Sequence, residues 1–139
     1  MIELSANVMM QHAEIAGKRL LVAVVDDDPA VCSSLKFALE LEGFAVRIFG
    51  NGAELLQADN VDAWNCLVVD HKMPEMSGLE LIEKLHGRNV LTPAILLVSN
   101  PNAAISARAA RGAIPVAEKP LFGNALVERI REACARNPG

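Results

Sequence analysis

Cys66-Leu67-Val68-Val69-Asp70-His71-Lys72-Met73-Pro74-Glu75-Met76-Ser77-Gly78 is the stretch that decides the fold. Four apolar residues in a row, too few for a buried helix and rich in Val, read as a central strand covered on both faces, and the run stops at a carboxylate. Met73-Pro74 cannot continue the strand, and Ser77-Gly78 opens an apolar-periodic segment, so the loop between them is short and stiff. Asp70 is thereby presented at the C-terminal edge of a sheet.

A second fully apolar run, Leu20-Leu21-Val22-Ala23-Val24-Val25, also ends in acid, at Asp26-Asp27-Asp28-Pro29. Asp28 before Pro29 predicts a helix start, the side chain capping free N–H groups and proline taking the first helical position. Asp26 and Asp27 have no such structural explanation. Val31, Leu35, Ala38 and Leu39 predict the inward stripe of that helix, which Gly43 stops. Phe44 to Phe49 alternates around Arg47 and suits an edge strand, and a short helix follows from Ala53 to about residue 58. Leu79, Ile82 and Leu85 mark the next helix, ended by Gly87. Ala94 to Val98 is a further buried strand, and Ser99-Asn100 places a hydroxyl at its end. An alanine-rich helix from Pro101 to Arg111 has Ile105 as its one large apolar residue. Ile114 to Ala117 reads as a short strand that Pro115 demotes to an edge. The last helix is expected from Leu121 to about residue 135, with Leu126, Ile130 and Ala133 inward.

Strand and helix thus alternate five times, which argues an α/β fold: a flavodoxin-like, doubly wound five-stranded parallel sheet, (βα)5, with helices on both faces. With the second and fifth strands at the edges the order is 2-1-3-4-5, and the crevice lies where strands one and three separate. Their ends carry Asp26, Asp27 and Asp70.

The chain has 139 residues, 52% of them hydrophobic and 22% charged, with a net charge of -4. That is one domain able to bury a core without staples. The acidic balance argues against a broad nucleic-acid footprint. Cys32, Cys66 and Cys134 are odd in number and not at paired or metal-ligand spacing, as in a reducing cytosol, and a cytoplasmic location is expected. Residues 1–18 have Glu3 where a signal peptide has basic residues, and no segment is long and apolar enough to span a bilayer. Leu4, Val8, Gln11 and Ile15 fall near helical spacing, so this extension reads as a mobile leader or a weak amphipathic helix that Gly17 ends.

The set Val-Val-Asp26-Asp27-Asp28-Pro29, Val-Val-Asp70-x-x-Met73-Pro74-x-Met76-Ser77-Gly78, Ser99 and Glu118-Lys119-Pro120 resembles the receiver domain of bacterial two-component response regulators. The resemblance covers roughly residues 19 to 136, so 19–139 is taken as the receiver domain and 1–18 as an N-terminal extension. The wording around Asp70 and Lys119 is similar to receivers of the nitrogen-fixation regulator type.

Three carboxylates within a few ångströms repel one another, so a proton or a cation must be taken up. Hard oxygen ligands in a wet, partly open site suit Mg²⁺. An aspartate beside such an ion can attack phosphorus, and cationic and hydroxyl donors around the transferring group provide the catalysis. By resemblance, Asp70 is the phosphoacceptor; Asp27 and the backbone carbonyl of Lys72 bind Mg²⁺ with it, and Asp26 assists. Lys119 pairs with the phosphoryl oxygens and Ser99 hydrogen-bonds them. The resemblance also implies a cis Lys119-Pro120 bond, a phosphohistidine donor on a sensor histidine kinase or histidine phosphotransfer protein, and a downstream protein partner. It implies no direct contact with nucleic acid or membrane, and a homodimer stays open.

Taken singly, Asp26 or Asp27 would be a helix cap, Ser99 a turn hydroxyl and Lys119 a solvated lysine; the combination carries the inference. His12 and His71 read as exposed, Trp64 as a packing residue. Two departures from the family's pattern carry consequences. Val116 stands where the resemblance expects Tyr or Phe, so the face near the fourth and fifth helices responds, if at all, without a swinging ring. Lys72 and Asn100 stand where small residues are common and obstruct an attacking water, which predicts a long-lived phosphoryl group. Arg108, Arg111 and Arg129 are candidate contact residues on a face that otherwise reads as solvated. Two rival readings remain: an Mg²⁺-dependent aspartate-nucleophile phosphatase, and a flavodoxin-like nucleotide-binding module, which Asp26-Asp27-Asp28 opposes by repelling phosphate.

Overall fold

The two apolar runs that end in acid lie side by side at the centre of a parallel sheet. The computed structural model describes residues 14–15, 18–121 and 124–136. Its sheet strands are β1 (Leu21–Val25), β2 (Ala45–Phe49), β3 (Cys66–Asp70), β4 (Ala94–Val98) and β5 (Val116–Glu118), in the order β2-β1-β3-β4-β5. Every neighbouring pair is parallel. All five residues of β3 and of β4 are buried, the condition of strands covered on both faces. The edge strands are shallower, and Arg47 of β2 is exposed.

Five helices, α1 (Pro29–Leu41), α2 (Gly52–Gln57), α3 (Gly78–Gly87), α4 (Ala103–Arg111) and α5 (Ala125–Arg136), complete the double winding. Because successive strand residues point to opposite faces, the sheet divides its apolar residues between two cores. Val22, Val24, Val68, Ile95 and Leu97 meet Leu39 of α1 and Leu126 and Ile130 of α5. Val25, Leu67, Val69 and Leu96 meet Leu55 of α2, Leu79 and Ile82 of α3 and Ala109 of α4.

Side-chain caps explain most helix starts: Asp28, Asn51, Ser77 and Asn102 accept hydrogen bonds from the first turns of α1 to α4. Several expected details change. Ala38 is exposed rather than inward; α1 is turned so that Cys32 and Leu39, seven residues apart, face the sheet. Helix α3 does end at Gly87 as expected, but the left-handed residue beyond it is Asn89, with φ of 61°. Strand β5 lies two residues later than expected, because Pro115 has no N–H to give and contributes its carbonyl to Leu96 N (2.9 Å) at the strand's entrance. Helix α5 starts at Ala125, while Leu121 packs on the first core from the preceding loop. Glu14–Ile15 pairs antiparallel with Lys18–Arg19, so Ile15 is extended rather than helical. The remainder of the leader helix, with His12 and Gly17, lies outside the described residues. The Lys119-Pro120 bond is cis, as expected. Trp64 packs edge-on to Phe49, with ring centroids 6.1 Å apart, and the three cysteines are buried and free. Among the described residues no helix is long and apolar enough to cross a membrane.

Candidate functional site

Strand register sets the level at which each site residue leaves the sheet. Val25 is opposite Val69, so Asp26 and Asp70 emerge together; Val98 is opposite Glu118, so Ser99 and Lys119 do the same. Asp26 is 2% exposed and Asp70 is 7% exposed. The Asp26 N–H donates to Phe49 O (3.1 Å), and its Oδ1 accepts from Asp28 N (2.9 Å). Its other oxygen, Oδ2, is buried with no hydrogen-bond partner. Burial pushes the Asp26 carboxyl above the usual carboxylate range, the Asp28 amide resists, and the nearby charge of Asp70 adds to the rise. Asp28 is accounted for as the cap of α1, through Ala30 N at 2.9 Å and Val31 N at 3.4 Å.

Lys119 closes the site from the opposite side. Its Nζ stands 2.7 Å from Asp70 Oδ1 and 3.7 Å from Asp26 Oδ2. Burial alone would lower the ammonium's pKa; the bonds to Asp70 and the charge of Asp26 together outweigh it, and the pKa is raised. One carboxylate oxygen each from Asp26, Asp27 and Asp70 lies within 4.8 Å of the others. An all-oxygen set that includes a buried carboxylate oxygen without a hydrogen bond fits a hard divalent cation better than a soft one.

The loop after Asp70 is held tightly. His71 O accepts from both Met73 N (3.1 Å) and Gly78 N (2.9 Å), and Glu75 takes a left-handed φ of 68°. Gly78 is required here, since a Cβ would sit 2.4 Å from the Asp70 carbonyl oxygen. Lys72 is exposed, and among the described residues no hydrogen bond is made to its carbonyl. Its side chain, with His71, Ser77, Ser99 and Asn100, lines a cleft of about 450 Å³ beside the carboxylates. Ser99 is exposed at its rim. The structure therefore brings Asp26, Asp27, Asp70 and Lys119 into one cluster and sets Ser99 and Lys72 in the adjoining cleft.

Two features escape a reading of the sequence. Cys32 donates its thiol to the Asp26 carbonyl (3.2 Å) from the first turn of α1, beneath the carboxylates. His71 is half-buried, not exposed, and the tight turn after it is closed by Met73 N donating to its carbonyl (3.1 Å).

Fold and pocket define a doubly wound signalling domain of the chemotaxis-receiver type. Residues 22–131 match the family model for the response regulator receiver domain, and the chain belongs to that family, whose members are the phosphoacceptors of two-component signalling and take their input from sensor kinases. It is 34% identical over 119 residues to the transcriptional regulatory protein FixJ of Azorhizobium caulinodans, covering 85% of this chain and 56% of that protein. It is 31% identical over 127 residues to nodulation protein W of Bradyrhizobium diazoefficiens, covering 91% of this chain and 56% of that one. The chain thus spans about half the length of the curated relatives it matches. Among solved structures, the N-terminal part of FixJ superposes with a TM-score of 0.74 at 29% identity, over 86% of this chain and 96% of that one. A receiver domain from Methanospirillum hungatei gives 0.77 at 29% identity, over 84% of this chain and 94% of that one.

Proposed function

We propose that Asp70 accepts the phosphoryl group, from a phosphohistidine on a sensor kinase or phosphotransfer protein, and that residues 19–139 form the receiver while 1–18 are an appended segment. The observation that carries this reading is the Lys119 ammonium, 2.7 Å from Asp70 Oδ1 and 3.7 Å from the buried Oδ2 of Asp26, which makes no hydrogen bond. In the transfer, a carboxylate oxygen of Asp70 forms the new O–P bond as the P–N bond to the donor imidazole breaks. Lys119 turns from the Asp70 carboxylate to the phosphoryl oxygens, and Ser99 supplies a hydroxyl to the same group. Asp26, Asp27, Asp70 and the Lys72 carbonyl would hold Mg²⁺, which when bound supplies positive charge to the anionic transferring group. The domain promotes only its own phosphorylation and dephosphorylation, works in the cytoplasm, and passes the signal to a downstream protein.

The test is incubation with acetyl phosphate and Mg²⁺, followed by intact mass. One phosphoryl group per chain is expected on the wild type and none on Asp70→Asn. Continuous turnover of a phosphate ester without labelling would instead favour the phosphatase reading.

A further inference from the structure

His71 follows Asp70 directly and has no part in the chemistry described so far. Its backbone is fixed: the N–H donates to Leu97 O at 2.9 Å, and the carbonyl holds Met73 N and Gly78 N. The residue is among those lining the cleft shared with Ser99, and its Nδ1 is buried without a hydrogen-bond partner. A buried imidazole nitrogen in that state carries a desolvation cost that a donor would remove. A half-turn about Cβ–Cγ exchanges Nδ1 with Cδ2, so the nitrogen can change sides while the backbone stays in place.

Lys72, Ser77, Ser99 and Asn100 all bring donors to the cleft, and Ser77 Oγ is held as the cap of α3, accepting from Glu80 N (3.2 Å). Ser99 makes no side-chain hydrogen bond among the described residues. Because Asp70 is opposite Leu97 and the ladder continues from His71 N to Leu97 O, Ser99 leaves the sheet beside the His71-Lys72 segment. A serine has three staggered χ1 wells, and its hydroxyl has one proton to donate.

We propose that His71 is a positioning residue for Ser99: its imidazole nitrogen accepts the Ser99 hydroxyl in competition with the phosphoryl oxygens on Asp70. The inference rests on the reading of Asp70 as phosphoacceptor. Before phosphorylation, part of the population has Ser99 turned over the cleft toward His71 and away from the reacting group. Removing the competing acceptor therefore speeds labelling.

A double-mutant cycle tests this, with the rate of labelling by acetyl phosphate as readout. His71→Leu should label about five-fold faster, the weight of one ordinary hydrogen bond. His71→Asn, whose amide oxygen keeps an acceptor near the Nδ1 position, should stay close to wild type. In a Ser99→Ala background His71→Leu should have no effect. An equal acceleration with and without Ser99, no acceleration in the Ser99 background, or a coupling found with Asn100→Ala in place of Ser99→Ala overturns the proposal. Should His71→Leu not fold, the ring ¹⁵N resonances of the otherwise unaltered His71 serve instead. The shift that beryllofluoride induces should depend on Ser99, and an identical shift in Ser99→Ala overturns the proposal. Failure of the wild type to label would sink the phosphoacceptor reading, whereas labelling without His71–Ser99 coupling sinks only this inference.

Discussion

Asp26 carries opposing demands in one side chain. Its carboxyl is pushed up by burial, so the charged form is less favoured in the folded chain than in the unfolded one. Stability is therefore lost as pH rises from the ordinary carboxylate value of 3.8 through the raised folded value, and the loss is complete above that folded value. The isosteric Asp26→Asn should raise the thermal midpoint of the metal-free protein at pH 7, with roughly 3 to 4 °C corresponding to each kcal/mol for a domain of this size. A lowered midpoint in calorimetry would show that the carboxylate is held favourably as it stands. Lys72 and Asn100 line the cleft next to Asp70, and on the proposed chemistry they would stand in the way of a water attacking the phosphorylated Asp70. Lys72→Ala or Asn100→Ala should shorten the phosphoryl lifetime about five-fold, equivalent to roughly 1 kcal/mol of barrier. Unchanged decay of the labelled protein would remove both from that role.

Helix α4 is the most lightly seated of the five. Ala109 is its one buried residue, Ile105 is half-buried, and the remaining side chains are exposed. Its second attachment is polar: the Arg108 guanidinium forms a two-pronged pair with Glu83 of α3. The hydrogen bond from Arg108 holds the Glu83 carboxyl below its usual range. The pair's contribution is therefore present above 4.5 and fades as pH falls through the depressed folded value. Both groups face solvent, so the effect is small and screened by salt. Glu83→Gln should cost a little stability in urea titrations at neutral pH and low salt, and nothing well below pH 4.5. A difference that persists in acid would mean that the substitution acts by something other than charge. Because Val116 provides no ring and α4 begins three residues after Ser99-Asn100, the response to a phosphoryl mimic should appear as chemical-shift changes near Ile105, Val116 and Leu126.

At the scale of the molecule, two apolar cores hold an acidic corner that is under electrostatic tension. A divalent cation that binds the folded corner alone must stabilise the whole chain by mass action, by about 2.7 kcal/mol at a hundred times the dissociation constant. Millimolar Mg²⁺ should therefore raise the melting temperature of the wild type and leave that of Asp27→Asn or Asp70→Asn nearly unchanged. An equal rise in all three would place the ion elsewhere. Much of this arrangement was legible in the residues. The unbroken runs ending at Val25 and Val69 marked the central strands, and Asp28-Pro29 marked a helix start, because strand burial and capping are local signals. The start of α5, the rotation of α1 that exposes Ala38, and the partial burial of His71 were not legible. Those depend on how distant segments meet, and nothing in the neighbouring residues encodes it. Gly78 shows where the two kinds of information coincide. With only a hydrogen atom between α3 and the Asp70 carbonyl, the helix start has little slack relative to the Asp70 peptide. If Asp70 is the acceptor proposed above, a displacement of the start of α3 bears directly on its peptide, so a ligand or graft attached near Gly78 should alter the rate of labelling.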